Sequence, residues 1–241
     1  MKKLLTIAAA VVTITACSAH QNRNLPPQQE LLIKVESVMD SKVEVDPDQI
    51  VKGMEVPNTN GNLQLSFISE KNKKAFVAIY AGLSVSDVKR FWNDMIWIEN
   101  NTKIRDVELF INSPGGDAFA GLALSDQIAR ARARGFTIVA HASGIIASAA
   151  VPVFAACNVR KAAAGTIFMV HEAALWKWPG RETASDIRSQ NELMTLLQGR
   201  YLKKLADNSK LSLDEWKALE KETTWFSADK ALEWGLVDSI E

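Results

Sequence analysis

The sequence predicts an α/β fold built on a mainly parallel sheet. Two apolar runs, AFVAIYAG (75–82) and DVELFIN (106–112), have the length and composition of buried strands. Between them, DVKRFWNDMIWIEN carries apolar residues at helical spacing. Strands that alternate with helices pair in parallel through right-handed crossovers. We therefore expect one α/β domain over residues 61–241.

The remaining elements continue this alternation. The sequence predicts helices over 117–134, 145–157, 182–207 and 212–222, and a last helix from Ser227 to Gly235. It predicts further strands in FTIVAHA (136–142), TIFMVHE (166–172) and LVDSI (236–240). Short apolar pieces within 31–72, which prolines interrupt, are interpreted as peripheral strands.

The first residues have the pattern of an export signal. Two lysines precede an apolar stretch from Leu4 to Ile14, and a small-residue segment follows. The apolar stretch is too short to span a bilayer, which needs about 20 residues. We expect residues 1–16 to be a signal peptide and residues 17–60 to be a tether with peripheral strands.

The segment Ile14-Thr15-Ala16-Cys17 resembles a bacterial lipobox. In that interpretation Cys17 becomes the lipidated first residue of the mature chain; the alternative is an ordinary signal peptide with an incidental cysteine. Lipidation predicts a periplasm-facing lipoprotein of the bacterial cell envelope, held at the membrane by its lipid. Ser18 favours the outer membrane, because an aspartate at this position would indicate retention at the inner one.

Composition argues against several classes of function. Lys and Arg together number 28, and so do Asp and Glu. The sequence has no basic run with interleaved aromatic residues, so no nucleic-acid partner is predicted. It also has no Cys/His cluster with the spacing of metal ligands, so we expect neither a metal nor another cofactor.

Chemically useful residues follow the ends of predicted strands, where α/β sheets build their sites. Taken singly, each has an ordinary structural explanation: a turn, a helix start or a satisfied histidine. Together they supply a nucleophile, a base and backbone donors, which are the three parts that acyl transfer needs. The four places are Ser113-Pro114-Gly115-Gly116, Ser148, His171 and the stretch from Glu220 to Thr224.

Several stretches resemble the proteolytic subunit of the Clp protease, within the Clp/crotonase superfamily: FINSPGGDAFAGLALSDQIA, ASGIIASAA, FMVHEAA and WFSADKALEWGLVDSI. The resemblance covers roughly residues 75–241. It implies a fold of repeated ββα units with a protruding handle helix, here 182–207, through which subunits form a homo-oligomer. It also implies site residues: Ser148 as nucleophile, His171 as base, and backbone N–H groups of Gly115 or Gly116 and of Ala149 as the oxyanion hole.

The chain departs from the family pattern at the third catalytic position. The resemblance places an aspartate where this sequence has Thr223. A threonine hydroxyl can accept a hydrogen bond from the imidazole, but it carries no charge to stabilise an imidazolium. The neighbouring Glu222 can replace it after a shift of one residue, or the site lacks a third member. A Ser-Lys dyad with Lys177 or Lys161 is a further alternative.

These observations predict an ATP-independent serine endopeptidase that cleaves peptides or unfolded chains through an acyl-enzyme. No ATPase partner is expected, because an exported protein has no access to cytoplasmic ATP. The alternatives are a catalytically impaired protein that binds peptides or acts as a scaffold, and a crotonase-type enzyme acting on acyl-CoA. The segment LWKWPGR (175–181) is interpreted as a cover for the chain's own core, a cleft wall, a subunit contact or a membrane contact.

Overall fold

The computed structural model describes residues 52–53, 66–69, 71–174 and 181–241. The predicted signal peptide, Cys17 and nearly all of the predicted tether lie outside these residues, as does the tryptophan-containing segment before Arg181. Within the described part, no helix combines the length and the apolar character needed to cross a membrane.

Nine strands and six helices are formed by the described residues. The strands are β1 (Lys52–Gly53), β2 (Ser66–Ser69), β3 (Lys74–Ile79), β4 (Asp106–Ser113), β5 (Thr137–Ala147), β6 (Val159–Ala162), β7 (Ile167–Val170), β8 (Thr224–Ser227) and β9 (Ser239–Ile240). The helices are α1 (Val85–Asn101), α2 (Ala118–Ala133), α3 (Ala150–Ala155), α4 (Ala184–Asp207), α5 (Leu213–Lys221) and α6 (Ala228–Glu233).

The sheet has a parallel centre with antiparallel additions. Its main path runs β1-β2-β3-β4-β5-β6-β9, and β7 and β8 branch from β5. All neighbours from β3 to β9 on this path pair in parallel, whereas β1–β2, β2–β3 and β7–β8 are antiparallel. The predicted α/β class is confirmed.

Strand β5 pairs with two different strands along its length. Its first part, around Val139–Ala142, pairs with β6, and its last part, Ile145–Ala147, pairs with β7. The sheet therefore forks at β5, and the branch that carries β7 and β8 continues beyond the point where β6 ends. This fork brings the end of β7 beside the end of β5.

The core lies where helices α1 and α2 cover the sheet. Alternate residues of β3, such as Val77 and Ile79, are buried together with Phe91 and Met95 of α1. Each such side chain contributes about 1.5–3 kcal/mol when it leaves water. This packing supports the strand ends that the candidate site uses.

The predicted helix over 145–157 is wrong in its first part. Ile145 to Ala147 belong to β5, and the helix that follows is only Ala150–Ala155. An apolar run fits a buried strand as well as a buried helix, and pairing with β7 decides between them here. The short strands β6 and β8 were not predicted, and they lie beside longer strands that order them.

The handle helix is α4, whose observed start, Ala184, lies two residues after the predicted one. Thr183 and Asp186 form a capping box at its N-terminus. Its C-terminal half packs on the domain through buried leucines, including Leu202 and Leu205. Towards the N-terminus it exposes apolar side chains, with Ile187 at 54%.

Candidate active site

Ser148 lies in a sharp turn between β5 and α3. Its φ is +54°, which is unusual for a residue other than glycine. The backbone N–H of Ser148 donates to the carbonyl of Met169 in β7 at 2.8 Å, which fixes the turn against the neighbouring strand. Backbone of this kind costs of order 1–3 kcal/mol and persists only where the surrounding structure imposes it.

His171 follows the last residue of β7. Parallel pairing of Ala147 with Met169 puts the ends of β5 and β7 side by side. As a result His171 Nε2 lies 2.8 Å from Ser148 Oγ. This distance is within the range of a hydrogen bond between a nucleophile and its base. The sequence-predicted pair is therefore brought together.

The Gly115-Gly116 turn approaches Ser148 closely, and both glycines have positive φ, +94° and +143°. A Cβ on Gly115 would lie only 2.7 Å from the Cβ of Ser148, so only glycine fits without displacement. On the other side of the turn, Leu83 N–H donates to the Gly115 carbonyl at 2.6 Å and holds its orientation.

The two glycines differ in what their N–H groups contact. Gly115 N–H donates to Ser113 Oγ at 3.2 Å. Gly116 N–H and Ala149 N–H make no hydrogen bond within the described residues, and both residues line the cavity beside Ser148. Gly116 and Ala149 are thus the predicted donors with free N–H groups at the cavity.

Neither candidate for the third catalytic position forms a side-chain hydrogen bond with His171. Both Glu222 and Thr223 are exposed, and within the described residues no hydrogen bond reaches His171 Nδ1. The antiparallel register of β7 with β8 pairs Val170 with Thr224. Continued by one residue, it sets Thr223 opposite His171, and Thr223 itself has a φ of +52°.

Glu220 is a carboxylate that lines the cavity on the side of α5, and sequence reasoning assigned it no role. Glu220 is 1% exposed, and its Oε2 accepts a hydrogen bond from Gln198 Nε2 at 2.9 Å. Burial is the main cause that raises its pKa to about 7; the negative charge of Glu172 adds to this, and the bond from Gln198 opposes it. Helical spacing is the sequence signal that could have indicated its burial, because Glu220 follows the buried Trp216 by one turn of α5.

We expect Glu220 to make folding stability depend on pH. Its pKa is about 7 in the folded chain against an ordinary 4.5, so the folded state holds this proton more tightly. The resulting stabilisation is complete below pH 4.5 and is lost as pH rises through 7. Between pH 4.5 and 8, the free energy of unfolding measured with urea should fall by ~2–3 kcal/mol more in wild type than in Glu220→Gln. Identical pH profiles for the two proteins would contradict this assignment.

A cavity of about 520 Å³ joins these groups. Much of its wall is apolar, and Tyr201, whose hydroxyl donates to the Ser148 carbonyl at 3.3 Å, lies at the same cavity. Burial raises the pKa of Tyr201 far above its usual value, so this group stays protonated as a donor. The lining includes Gly116, Phe119, Leu122, Ser148, Ala149, Pro152, His171, Met194, Leu197, Tyr201 and Glu220.

Only one of the two alternative lysines, Lys161, lies within the described residues, and it makes no hydrogen bond to Ser148. Lys161 lies on β6 and its Nζ is 3.7 Å from Glu241 Oε2, whereas Lys177 is outside the described residues. Among the described residues, no group of three or more His, Cys, Asp or Glu side chains has a metal-binding arrangement.

Comparison with known proteins identifies the family of this chain. The family model for Clp protease matches residues 60–241. The chain belongs to the Clp protease family. This membership supports a hydrolase of the serine peptidase type, and the observed fold of sheet and helices is consistent with it.

Individual Clp relatives resemble most of the chain. The ATP-dependent Clp protease proteolytic subunit of Cyanophora paradoxa is 29% identical over 188 residues, which are 75% of this chain and 91% of the relative. Proteolytic subunit 2 of Mycolicibacterium paratuberculosis is 30% identical over 167 residues, covering 67% of this chain and 80% of the relative. Subunit 1 of Mycobacterium leprae is 29% identical over the same length and shares.

Proposed function

We propose that this protein is an ATP-independent serine endopeptidase of the bacterial cell envelope, which cleaves peptides or unfolded chains through an acyl-enzyme. The observation that carries the proposal is the 2.8 Å contact between Ser148 Oγ and His171 Nε2 at two adjacent strand ends. Membership in the Clp protease family supports the peptidase class.

The proposed reaction uses His171 twice. His171 Nε2 takes the proton of the Ser148 hydroxyl as Oγ attacks the peptide carbonyl carbon, and the resulting imidazolium then protonates the leaving amine. Water, deprotonated by the same histidine, attacks the ester, and Ser148 recovers its proton as the acid product leaves. Each proton that His171 accepts is returned within the cycle, so the enzyme ends in its starting state.

The oxyanion of the tetrahedral intermediate needs donors that are already in place. The free N–H groups of Gly116 and Ala149, both at the cavity beside Ser148, support this role for these two residues. Because Gly115 N–H is engaged by Ser113, we assign Gly115 the task of shaping the turn. Apolar walls such as Leu122 and Met194 provide a surface for a substrate side chain.

The purified mature protein should react with a fluorophosphonate probe, which modifies activated serines. It should also hydrolyse fluorogenic peptides and an unfolded protein such as casein without added ATP. Absence of labelling together with absence of hydrolysis would overturn the peptidase proposal. Acyl-CoA binding, measured in parallel, addresses the crotonase-type alternative.

Position 223 should limit the rate of this enzyme. Thr223→Asp introduces the carboxylate that the family pattern expects, at a residue set opposite His171 by the β7–β8 register. Aspartate tolerates the left-handed backbone found there, where φ is +52°. We expect kcat to rise by about 10-fold or more, since a carboxylate at this position contributes up to about 10⁴-fold in a complete triad.

Thr223→Asn is the matched control, because it has the same shape without the charge and should leave kcat within about threefold of wild type. An unchanged or lower kcat in Thr223→Asp would show that position 223 does not serve His171. If wild type is inactive and Thr223→Asp is active, the impaired, peptide-binding alternative describes the natural chain. That alternative is favoured specifically by the lack of a hydrogen bond to His171 Nδ1 within the described residues.

The proposed location and assembly follow from different parts of the chain. The lipobox-like segment supports a lipid on Cys17 and a periplasm-facing position, outer membrane preferred; radiolabelled palmitate should enter wild type but not Cys17→Ser. Exposed apolar side chains on α4, including Ile187 and Leu196, support a homo-oligomer through the handle helix. Light scattering of the mature protein measures its mass directly.

A further inference from the structure

Glu220 is a buried carboxylate in a cavity whose other charged groups already have tasks. Three of the described lining residues carry a carboxylate or an imidazole group: Asp117, His171 and Glu220. Asp117 caps α2, with its Oδ1 accepting from Ala120 N–H at 2.9 Å. His171 pairs with Ser148. The proposed peptidase reaction leaves Glu220 without a role.

The contacts of Glu220 are those of an unfilled binding group. One oxygen, Oε2, accepts from the neutral amide of Gln198. The other, Oε1, makes no hydrogen bond to the described residues. Burial raises the pKa of Glu220 and the charge of Lys217, one turn earlier on α5, lowers it from a distance, but no described lysine or arginine forms an ion pair with this carboxylate. A buried carboxylate is costly to ionise unless a cation accompanies it. A cationic ligand group that enters the cavity would supply that partner.

We propose that Glu220 is a specificity-determining residue and selects peptides with lysine or arginine on the acyl side of the scissile bond. This inference rests on the proposed peptidase function. The same cavity contains Ser148, so a side chain entering it belongs to a substrate residue near the attacked carbonyl. Lysine and arginine bury their methylene stems against apolar walls and place charge at the tip.

The arrangement of the cavity matches such a side chain. Leu122, Pro152, Met194 and Leu197 provide apolar wall for the stem. Gln198, on the same helix as Met194 and Leu197, fixes the orientation of the Glu220 carboxylate at 2.9 Å. Glu172 also lies near Gln198, at 3.5 Å, but it is exposed and does not line the cavity. Glu172 therefore provides a matched control carboxylate.

Two peptides that differ only at the acyl-side residue test the inference. One carries lysine and the other norleucine, which has the same carbon stem without the ammonium group. For wild type at pH 8 we expect kcat/KM about 10- to 100-fold higher with lysine, as for a hydrogen bond between charged groups. In Glu220→Gln the ratio should fall to about 1 or below. In Glu172→Gln the ratio should stay at the wild-type value.

The inference is overturned if wild type cleaves the norleucine peptide as well as the lysine peptide, a result that requires no variant to fold. It is also overturned if Glu220→Gln keeps the wild-type ratio. A binding measurement tests the role of Glu220 independently of catalysis. Ser148→Ala should bind a product peptide ending in lysine about 10-fold more tightly than one ending in norleucine. If the lysine peptide is preferred but wild type hydrolyses nothing, the peptidase proposal is refuted and the lysine-binding role of Glu220 is supported. If wild type hydrolyses peptides without this preference, the peptidase proposal is supported and the role of Glu220 is refuted.

Discussion

Replacing Ser148 with alanine should lower kcat for peptide hydrolysis by about 10²- to 10⁵-fold, which is less than the roughly 10⁶-fold loss in a complete triad because position 223 lacks the carboxylate. Only the hydroxyl is lost, and with it the atom that lies 2.8 Å from His171 Nε2. Fluorophosphonate labelling should disappear together with hydrolysis. Steady-state kinetics on a fluorogenic peptide, in the absence of ATP, gives the measurement.

The loss of kcat caused by Ser148→Ala should not add to the loss caused by removing His171. Ser148 and His171 act as one unit in the proposed reaction, so His171→Ala and the double variant should each resemble Ser148→Ala to within about 10-fold. Two independent contributions would instead multiply, and the double variant would fall far below either single one. Parallel measurement of all three separates these cases.

Ser143→Ala is the matched control for this experiment. Ser143 lies earlier on the same strand, β5, and its hydroxyl makes no hydrogen bond within the described residues. The kcat of Ser143→Ala should remain within about twofold of wild type. Conversely, Ser148→Ala with more than 1% of wild-type kcat would mean that another nucleophile performs the chemistry, and the proposed role of Ser148 would have to be abandoned.

The features that the sequence predicted well depend on local pattern. Each predicted helix has a counterpart in the structure, because apolar spacing and capping residues act over one or two turns. Ser84 and Thr183 show this at the starts of α1 and α4. The proximity of Ser148 and His171 follows from the rule that parallel strands end at one edge of the sheet.

The features that were missed depend on tertiary contacts. Residues 145–147 are apolar in either conformation, and only pairing with β7 makes them strand. Glu220 has the residue type of a surface position, yet packing of α5 against α4 buries it. The choice between Gly115 and Gly116 as a donor depends on where Ser113 Oγ points, which no spacing in the sequence reveals.

Replacing Gly115 with alanine should lower kcat by about 100- to 1,000-fold without removing any catalytic atom. The new Cβ would lie 2.7 Å from both the Ser148 Cβ and the Ala147 carbonyl oxygen, so either the turn or the serine must move. Displacement of reacting groups by about 1 Å costs on the order of 100-fold, and loss of an oxyanion donor costs 100- to 1,000-fold. Kinetics and probe labelling measure both effects.

Gly135→Ala isolates the part of this loss that comes from backbone strain. Gly135 has a φ of +89°, close to the +94° of Gly115, but a Cβ there would meet nothing within 4 Å. Backbone strain should lower the free energy of unfolding by about 1–2 kcal/mol in both variants, the cost of placing an L-residue in left-handed backbone, and the clash should lower it further in Gly115→Ala. Only Gly115→Ala should lose activity. Equal activity in the two variants would show that the glycine turn supports the fold alone, because strain would then account for everything that Gly115→Ala changes.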